Sequence, residues 1–105
     1  MSTQRRIVAC SREDGQVVGA GLRRGAEIGW FVAPAWWRRG VATALVRRLC
    51  LDPEAAFARV HRDNLASIRL VEKLGFRFTD LMTPQRASFD GRARLRYKVP
   101  RSATP

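Results

Sequence analysis

The sequence predicts a mixed α/β (α+β) fold, in which helices pack on a mostly antiparallel sheet in the order β-β-β-α-β-α-β-β. Three short apolar segments open the chain before any helical pattern occurs. Helical and strand patterns then alternate, which is typical of a βαβ crossover between the third and fourth strands. The chain closes on a segment in which apolar and charged residues alternate with period two.

Length and composition bound the architecture. With 105 residues, of which 46% are hydrophobic, the chain is long enough for one folded domain with a modest core. We expect this domain to cover residues 1–100 and residues 101–105 to form a flexible tail. No apolar run is long enough to span a bilayer or to resemble a secretory signal, so we expect a cytoplasmic protein without a membrane partner.

The chain is strongly basic, because 20 Lys and Arg residues outnumber 9 Asp and Glu residues and give a formal net charge of +11. This charge favours anionic partners such as nucleotides, nucleic acids and acidic proteins, although a solvated arginine-rich surface explains it equally well. Cys10 and Cys50 lack metal-ligand spacing and His61 is the single histidine, so we expect no metal site. Both cysteines are expected to be small core residues in reduced form.

Turn residues separate the first three strands. The predicted strands are Ile7–Cys10, Val17–Leu22 and Ala26–Val32. Asp14 and Gly15 give the hairpin signal between the first two strands. Gly19 and Gly21 are expected to bend the second strand. Pro34 closes the third strand because proline cannot continue the ladder.

The first helix is predicted from about Arg39 to Leu51, where apolar residues recur at helical spacing. Arg47 and Arg48 fall on its polar side, and Asp52-Pro53 ends it. The positions expected to be buried are Val41, Ala42, Leu45, Val46 and Leu49.

The second half of the chain contains one more helix between strands. Asp63 or Asn64 is expected to cap this helix, Gly75 to end it in a left-handed conformation, and Phe76 to fold back onto its last turn. In the last strand Tyr97 belongs to the apolar, core-facing set. The remaining predicted strands are Ala56–Val60, Phe76–Met82 and Ala93–Val99, the last two joined by a polar loop that contains Asp90-Gly91.

The junction between the third strand and the first helix is the most informative functional feature. The N–H groups at a helix start are unpaired, and together with the positive end of the helix dipole and two arginines, Arg38 and Arg39, they make a site for phosphate oxygens. The alternative is that both arginines are ordinary charges at a helix start. Trp30, Trp36 and Trp37 are expected to pack rather than to stack on bases.

Two segments carry a family resemblance. The first runs from Glu27 to Thr43 and contains Trp37-Arg38-Arg39-Gly40-Val41-Ala42-Thr43, and the second runs from Asn64 to Phe76. In this order they resemble the GNAT superfamily of N-acetyltransferases, in particular its ribosomal-protein and spermidine-type branch. The acetyl-CoA pyrophosphate loop of that superfamily has the form Gln/Arg-x-x-Gly-x-Gly/Ala; Gly40 and Ala42 match its last two defined positions, and Trp37 occupies the first.

The resemblance implies acetyl-CoA (coenzyme A) as the cofactor. Loop N–H groups would cradle the pyrophosphate, and the end of the third strand would pair its backbone with the pantetheine arm and polarise the thioester carbonyl. Asn64 and Ser67 would line the reactive end, a role compatible with a plain helix cap. The cofactor-binding residues expected from the resemblance are Phe31, Val32, Trp37, Arg38, Arg39, Gly40, Val41, Ala42, Thr43, Asn64 and Ser67.

The catalytic residues are less well indicated. Glu27 is the best candidate for a general base, acting through water, with His61 as a second candidate. Many members of the superfamily place a tyrosine acid in the second helix, but the matching position here is Val71. Ser67 could assist the leaving thiolate, as the branch resemblance suggests.

The function that the resemblance implies is acetyl transfer from acetyl-CoA to a primary amine, either a protein N-terminus, a small amine or an antibiotic. The sequence starts where the second strand of the superfamily would, so the acceptor wall is expected to be absent, supplied by a second copy or another partner chain, or lost with a truncated reading frame. One alternative is a coenzyme A-binding fragment without turnover. A lower-ranked alternative is a basic nucleic-acid-binding module, for which no recognition signature is present.

Overall fold

The computed structural model describes residues 4–82 and 94–101. The chain divides into two compact units, residues 1–55 and residues 56–105. The first contains β1 (Gln4–Cys10), β2 (Val17–Arg24), β3 (Glu27–Val32), a 3-10 turn (Pro34–Trp36) and α1 (Val41–Cys50). The second contains β4 (Phe57–His61), α2 (Leu65–Lys73), β5 (Arg77–Met82) and β6 (Arg94–Lys98). The predicted order of strands and helices is confirmed. The Asp90-Gly91 loop, Ala93 and the tail beyond Arg101 lie outside the described residues.

The first unit is built on three antiparallel strands, with β2 paired to β1 on one side and to β3 on the other. The predicted hairpin turn is confirmed: the Ser11 N–H donates to the Gln16 carbonyl over 2.8 Å, and Gly15 has φ of 74°. This positive φ is one that glycine adopts without steric cost, which explains the Asp-Gly signal in the sequence.

Gly19 and Gly21 lie where α1 approaches β2 closely, and the bend expected at these glycines stays a prediction. Both lie within a regular part of the β2–β3 ladder, on the face against which α1 packs. A Cβ at Gly19 would lie 2.9 Å from the Phe31 carbonyl oxygen and 3.2 Å from Cδ1 of Leu45. The glycines are therefore needed for close approach of the helix to the strand.

Helix α1 packs through one apolar side. Leu45, Val46 and Leu49 are buried as predicted, whereas Val41 and Ala42 are half-buried. The helix begins at Val41 and not at about Arg39, because Arg38 and Gly40 have φ of 64° and 82°, outside the range of a right-handed helix.

The first unit contains a buried ion pair near the end of α1. Arg23 is only 2% exposed, and its Nε donates to Oδ2 of Asp52 at 2.5 Å. Arg23 also donates to the Gly25 carbonyl oxygen over 2.7 Å. The Glu54 N–H, which donates to Oδ1 of Asp52, and the Arg23 guanidinium hold the pKa of Asp52 below its ordinary value of 3.8, and this effect outweighs that of burial.

The second unit has an antiparallel sheet in which β6 lies between β4 and β5. The predicted ends of α2 are confirmed. Asn64 caps the helix through its side chain, Gly75 has φ of 90°, and the Phe76 N–H donates to the Val71 carbonyl oxygen over 2.9 Å. Tyr97 is buried as predicted, and its hydroxyl donates to Oε2 of Glu72 over 3.2 Å.

The prediction for the cysteines is partly wrong. Cys10 is exposed and Cys50 is half-buried, and neither forms a disulfide within the described residues. In the alternation of β1, Cys10 shares a face with Val8, which is 59% exposed, and lies opposite to the face of Ile7, which meets Gly21 on the α1 side.

Candidate functional site

A short, well-anchored loop connects the end of β3 to the start of α1. The Trp36 N–H donates to the Ala33 carbonyl over 2.8 Å, and this bond closes the 3-10 turn. The indole Nε1 of Trp37 then reaches back and donates to the Val32 carbonyl over 2.8 Å. The loop is thus tied to the strand by a side chain as well as by its own backbone.

The backbone between Trp37 and Val41 turns through two left-handed residues. Arg38 has φ of 64°, which is uncommon for a residue with a Cβ, and Gly40 has φ of 82°. A Cβ placed on Gly40 would meet no atom within 4 Å. The bend is therefore open on the side where a glycine exposes its backbone, and a ligand has room to approach closely.

The start of α1 has no cap of its own. Gly40 provides no side-chain hydrogen bond, and the Ala44 N–H is the first to reach back, to the Gly40 carbonyl at 3.0 Å. The N–H groups of Val41, Ala42 and Thr43 have no acceptor among residues 4–82 and 94–101. In α2, by contrast, the Asn64 side chain accepts from the Ser67 N–H over 3.1 Å.

Electrostatics at this helix start favour an anion. The first turn of α1 contains no acidic residue, and the exposed Arg38 and Arg39 precede it. Cations at the positive end of a helix dipole are unfavourable unless an anion neutralises them. The Arg39 guanidinium lies 4.7 Å from the centre of the Trp36 ring, a contact that holds the guanidinium near the loop and leaves its edge free to donate.

The register of β3 determines which of its backbone groups can meet a ligand. The Ala33 N–H donates to the Val18 carbonyl over 2.8 Å, and Phe31 is paired with Ala20. Since bonded and non-bonded pairs alternate in an antiparallel ladder, the N–H and C=O of Phe31 point to β2, and those of Trp30 and Val32 point away from it. The Phe31 side chain is 63% exposed, so any contact of Phe31 with a ligand would be through its ring.

The candidate base Glu27 begins β3, at the end opposite to the loop. Five residue steps separate it from Val32, a distance of about 17 Å along an extended strand. The alternation of the strand places Glu27, Gly29 and Phe31 on the face opposite to α1. Glu27 therefore lies apart from the loop between β3 and α1.

The candidate residues of the second unit cluster at the start of α2. Asn64 and Ser67 are joined by the capping bond, and the Asn64 N–H donates to the His61 carbonyl over 2.9 Å. Nε2 of His61 lies 3.2 Å from a guanidinium nitrogen of Arg94. A guanidinium only donates, so Arg94 is the donor of this contact.

The sequence pattern did not indicate the backbone of Trp30 or the anchoring bond of the Trp37 indole. The edge toward which a strand directs its N–H groups depends on register, and no local signal encodes that register. In the described parts of the chain, no three His, Cys, Asp or Glu residues group as metal ligands would. None of the helices found there is long and apolar enough to cross a membrane.

The comparison with solved structures shows the fold. A GnaT-family acetyltransferase from Bordetella pertussis aligns with a TM-score of 0.70 and 25% identity, over 92% of this chain and 66% of that protein. An acetyltransferase from Salmonella typhimurium, solved with its cofactor acetyl-CoA, aligns at 0.69 and 24%, over 89% and 64%. The ribosomal-protein-S18-alanine N-acetyltransferase from Escherichia coli aligns at 0.70 and 18%, over 99% and 74%. The predicted fold class is thereby confirmed.

The chain spans roughly two thirds of the length of these neighbours. A comparison with curated proteins found no match. A family model described as an acetyltransferase (GNAT) domain matches residues 4–77, which include the loop, the uncapped start of α1 and the start of α2. The chain therefore belongs to the GNAT family of acetyltransferases.

Proposed function

We propose that this chain is an acetyl-CoA-dependent N-acetyltransferase whose acceptor is a primary amine, either a protein N-terminus, a small amine or an antibiotic. One observation carries the proposal: the start of α1 presents unpaired N–H groups and two arginines, with no carboxylate to neutralise them, beside an open Gly40 bend. This arrangement suits a pyrophosphate, whose oxygens accept from backbone N–H groups and guanidinium groups alike.

Different parts of coenzyme A would be bound by the loop and by the end of β3. The N–H groups from Arg38 through Thr43 would surround the pyrophosphate, and the small side chain of Ala42 would let the helix lie close to it. Trp30 and Val32 direct backbone groups away from β2, so the pantetheine arm would pair with these as an added strand. The relative that was solved with acetyl-CoA supports this choice of cofactor.

Acetyl-CoA supplies the acetyl group as an activated thioester. The Val32 N–H points away from β2 and would donate to the thioester carbonyl, which develops negative charge as an amine attacks. Glu27 would accept the amine proton through a chain of several water molecules, because about 17 Å of extended strand separates it from Val32. Ser67 would donate to the leaving thiolate from the start of α2.

A second candidate function is coenzyme A binding without turnover. Two observations on the acid that would protonate the leaving thiolate favour this function. Val71 occupies the position at which the superfamily resemblance places a tyrosine, and the Tyr97 hydroxyl donates to Glu72. A second copy of the chain or another partner chain could line the acceptor site. We further propose a cytoplasmic location, where the two widely spaced cysteines, Cys10 and Cys50, would stay reduced.

Two measurements on the purified chain separate these functions. Acetyl-CoA at a concentration far above its dissociation constant should raise the melting temperature, because it binds the folded state alone. Release of free coenzyme A thiol is then followed over a panel of peptide N-termini, polyamines and aminoglycosides. Stabilisation with turnover supports the transferase, stabilisation without turnover supports the binding fragment, and no stabilisation contradicts both.

A further inference from the structure

Trp37 is the one loop residue whose side chain bonds to the strand. Its ring is 62% exposed, which is unusual for a tryptophan, yet its indole N–H is satisfied by the Val32 carbonyl at 2.8 Å. The ring therefore contributes little to the core. Its observed interaction is the hydrogen bond that connects Trp37, within the loop, to Val32, the last residue of β3.

This bond immobilises the peptide unit between Val32 and Ala33. On one side the carbonyl accepts from Trp37, and on the other the Ala33 N–H donates to the Val18 carbonyl over 2.8 Å. The Val32 carbonyl is thus occupied. Val32 directs its carbonyl and its N–H away from β2, and of these two groups only the N–H is left for a ligand. The orientation of this N–H depends on the backbone that the Trp37 and Val18 bonds hold in place.

The same bond supports the unusual backbone of the next residue. Arg38 holds φ of 64°, a conformation that costs about 1 kcal/mol or more for a residue with a Cβ and persists where the surroundings enforce it. The Trp37 indole holds the chain before Arg38, and the contact of Arg39 with Trp36 holds it afterwards. Without the indole bond, Arg38 would be free to relax and turn the N–H groups of the loop away from a ligand.

We propose that Trp37 is a positioning residue whose indole N–H, bonded to the Val32 carbonyl, keeps the loop and the β3 end in the geometry that binds coenzyme A. What the position requires is a side-chain N–H donor rather than an aromatic ring. The identity of the ligand rests on the proposed function, whereas the hydrogen bond is observed independently of it.

Three variants test the inference. Trp37→Phe keeps an aromatic ring and removes the donor. Trp37→Gln restores an N–H at the same number of bonds from Cα as the indole nitrogen. Trp36→Phe is the matched control, since it changes the neighbouring tryptophan and keeps a ring beneath Arg39. Calorimetry gives the dissociation constant for coenzyme A, and urea unfolding shows whether each variant is folded.

We expect W37F to weaken coenzyme A binding about three- to tenfold, as loss of one net hydrogen bond would. W37Q and W36F should stay within about twofold of the wild type. All three should remain folded, and W37F should lose no more than about 1 kcal/mol in unfolding free energy, the contribution of one hydrogen bond. Wild-type affinity in W37F, or equal weakness in W37Q and W37F, would overturn the inference.

Failure of the proposed function gives a different result. In that case the wild-type chain does not bind coenzyme A, and the ligand named in the inference is wrong. The bond is then measured alone by NMR hydrogen exchange of the Trp37 indole proton. Slow exchange relative to a free indole supports the anchoring bond, and exchange at the rate of a free indole contradicts it.

Discussion

At the scale of single residues, the Arg23–Asp52 pair is the strongest electrostatic feature outside the loop. Both side chains are buried, and the pair joins β2 to the segment that follows α1. Arg5 approaches the same carboxylate at 3.7 Å, and Glu54 lies 3.8 Å from Arg23. An isolated buried charge is costly, so removal of one partner leaves the other uncompensated.

The depressed pKa of Asp52 predicts a pH-dependent stability. Its contribution is fully present above its unfolded value of about 3.8 and is lost as the pH falls through the lower folded pKa. Asp52→Asn should therefore be less stable than the wild type near neutral pH. That difference in unfolding free energy should shrink as the pH falls below about 4.

Urea unfolding at a series of pH values measures this difference. Asp63→Asn serves as the control, since Asp63 is exposed. A gap between wild type and D52N that stays constant down to pH 2 would show that the carboxylate of Asp52 is not what stabilises Arg23.

Tyr97 has a structural role in this account. Burial, the negative charge of Glu72 and the hydrogen bond to that carboxylate together raise the pKa of Tyr97 above its ordinary value of 10.0. Tyr97→Phe keeps the ring, which packs edge-on against Phe78, and removes the hydroxyl. We expect a loss of about 1 kcal/mol in unfolding free energy, with acetyl transfer retained. Thiol-release assays that show an inactive but folded Y97F would instead make the hydroxyl a catalytic group.

At the scale of elements, the contact between α1 and β2 depends on a glycine. Gly19→Ala places a Cβ 2.9 Å from the Phe31 carbonyl oxygen. This oxygen belongs to the backbone of β3, so relieving the contact requires the strand or the helix to shift. We expect a loss of about 1–3 kcal/mol. Gly29→Ala is the matched control on β3, where a Cβ meets nothing within 4 Å, and it should be neutral or stabilising by up to about 1 kcal/mol. Equal urea midpoints for the two variants would contradict this packing.

Elements that carry a local signal were predictable from the sequence. The Asn64 cap, the Gly75 stop and the Phe76 return contact follow from residues within a few positions of one another, and all three are observed. The start of α1 was misplaced because the left-handed Arg38 has no composition signal. The partnership of Arg23 with Asp52 joins residues 29 apart in sequence, and no pattern within one element reveals it.

The candidate site was predictable to the same degree. Arg38, Arg39 and Gly40 are candidates that the sequence alone indicates, because the residues between β3 and α1 are continuous in sequence. The sequence did not indicate Trp30 and did not distinguish Val32 from Phe31, because the direction of their N–H groups follows from the register with β2. Glu27 lies on the expected strand, but its separation from the loop follows only from the strand length.

At the scale of the whole molecule, the family and the charge lead to one expectation. The chain belongs to the GNAT family and has a net charge of +11, and the loop provides a defined place for part of that charge to meet an anion. Binding of coenzyme A should therefore depend on where arginines are removed, and not only on how many. This dependence on position separates a phosphate site from general attraction of anions to a basic surface.

The most direct test is the coenzyme A affinity of two double variants that remove equal charge. Arg38→Gln with Arg39→Gln alters the loop before α1, and Arg47→Gln with Arg48→Gln alters exposed positions near the end of the same helix. Calorimetry should show binding weakened at least tenfold in the first variant and nearly unchanged in the second. Equal losses in both, or wild-type affinity in the first, would contradict a pyrophosphate bound at the Gly40 bend.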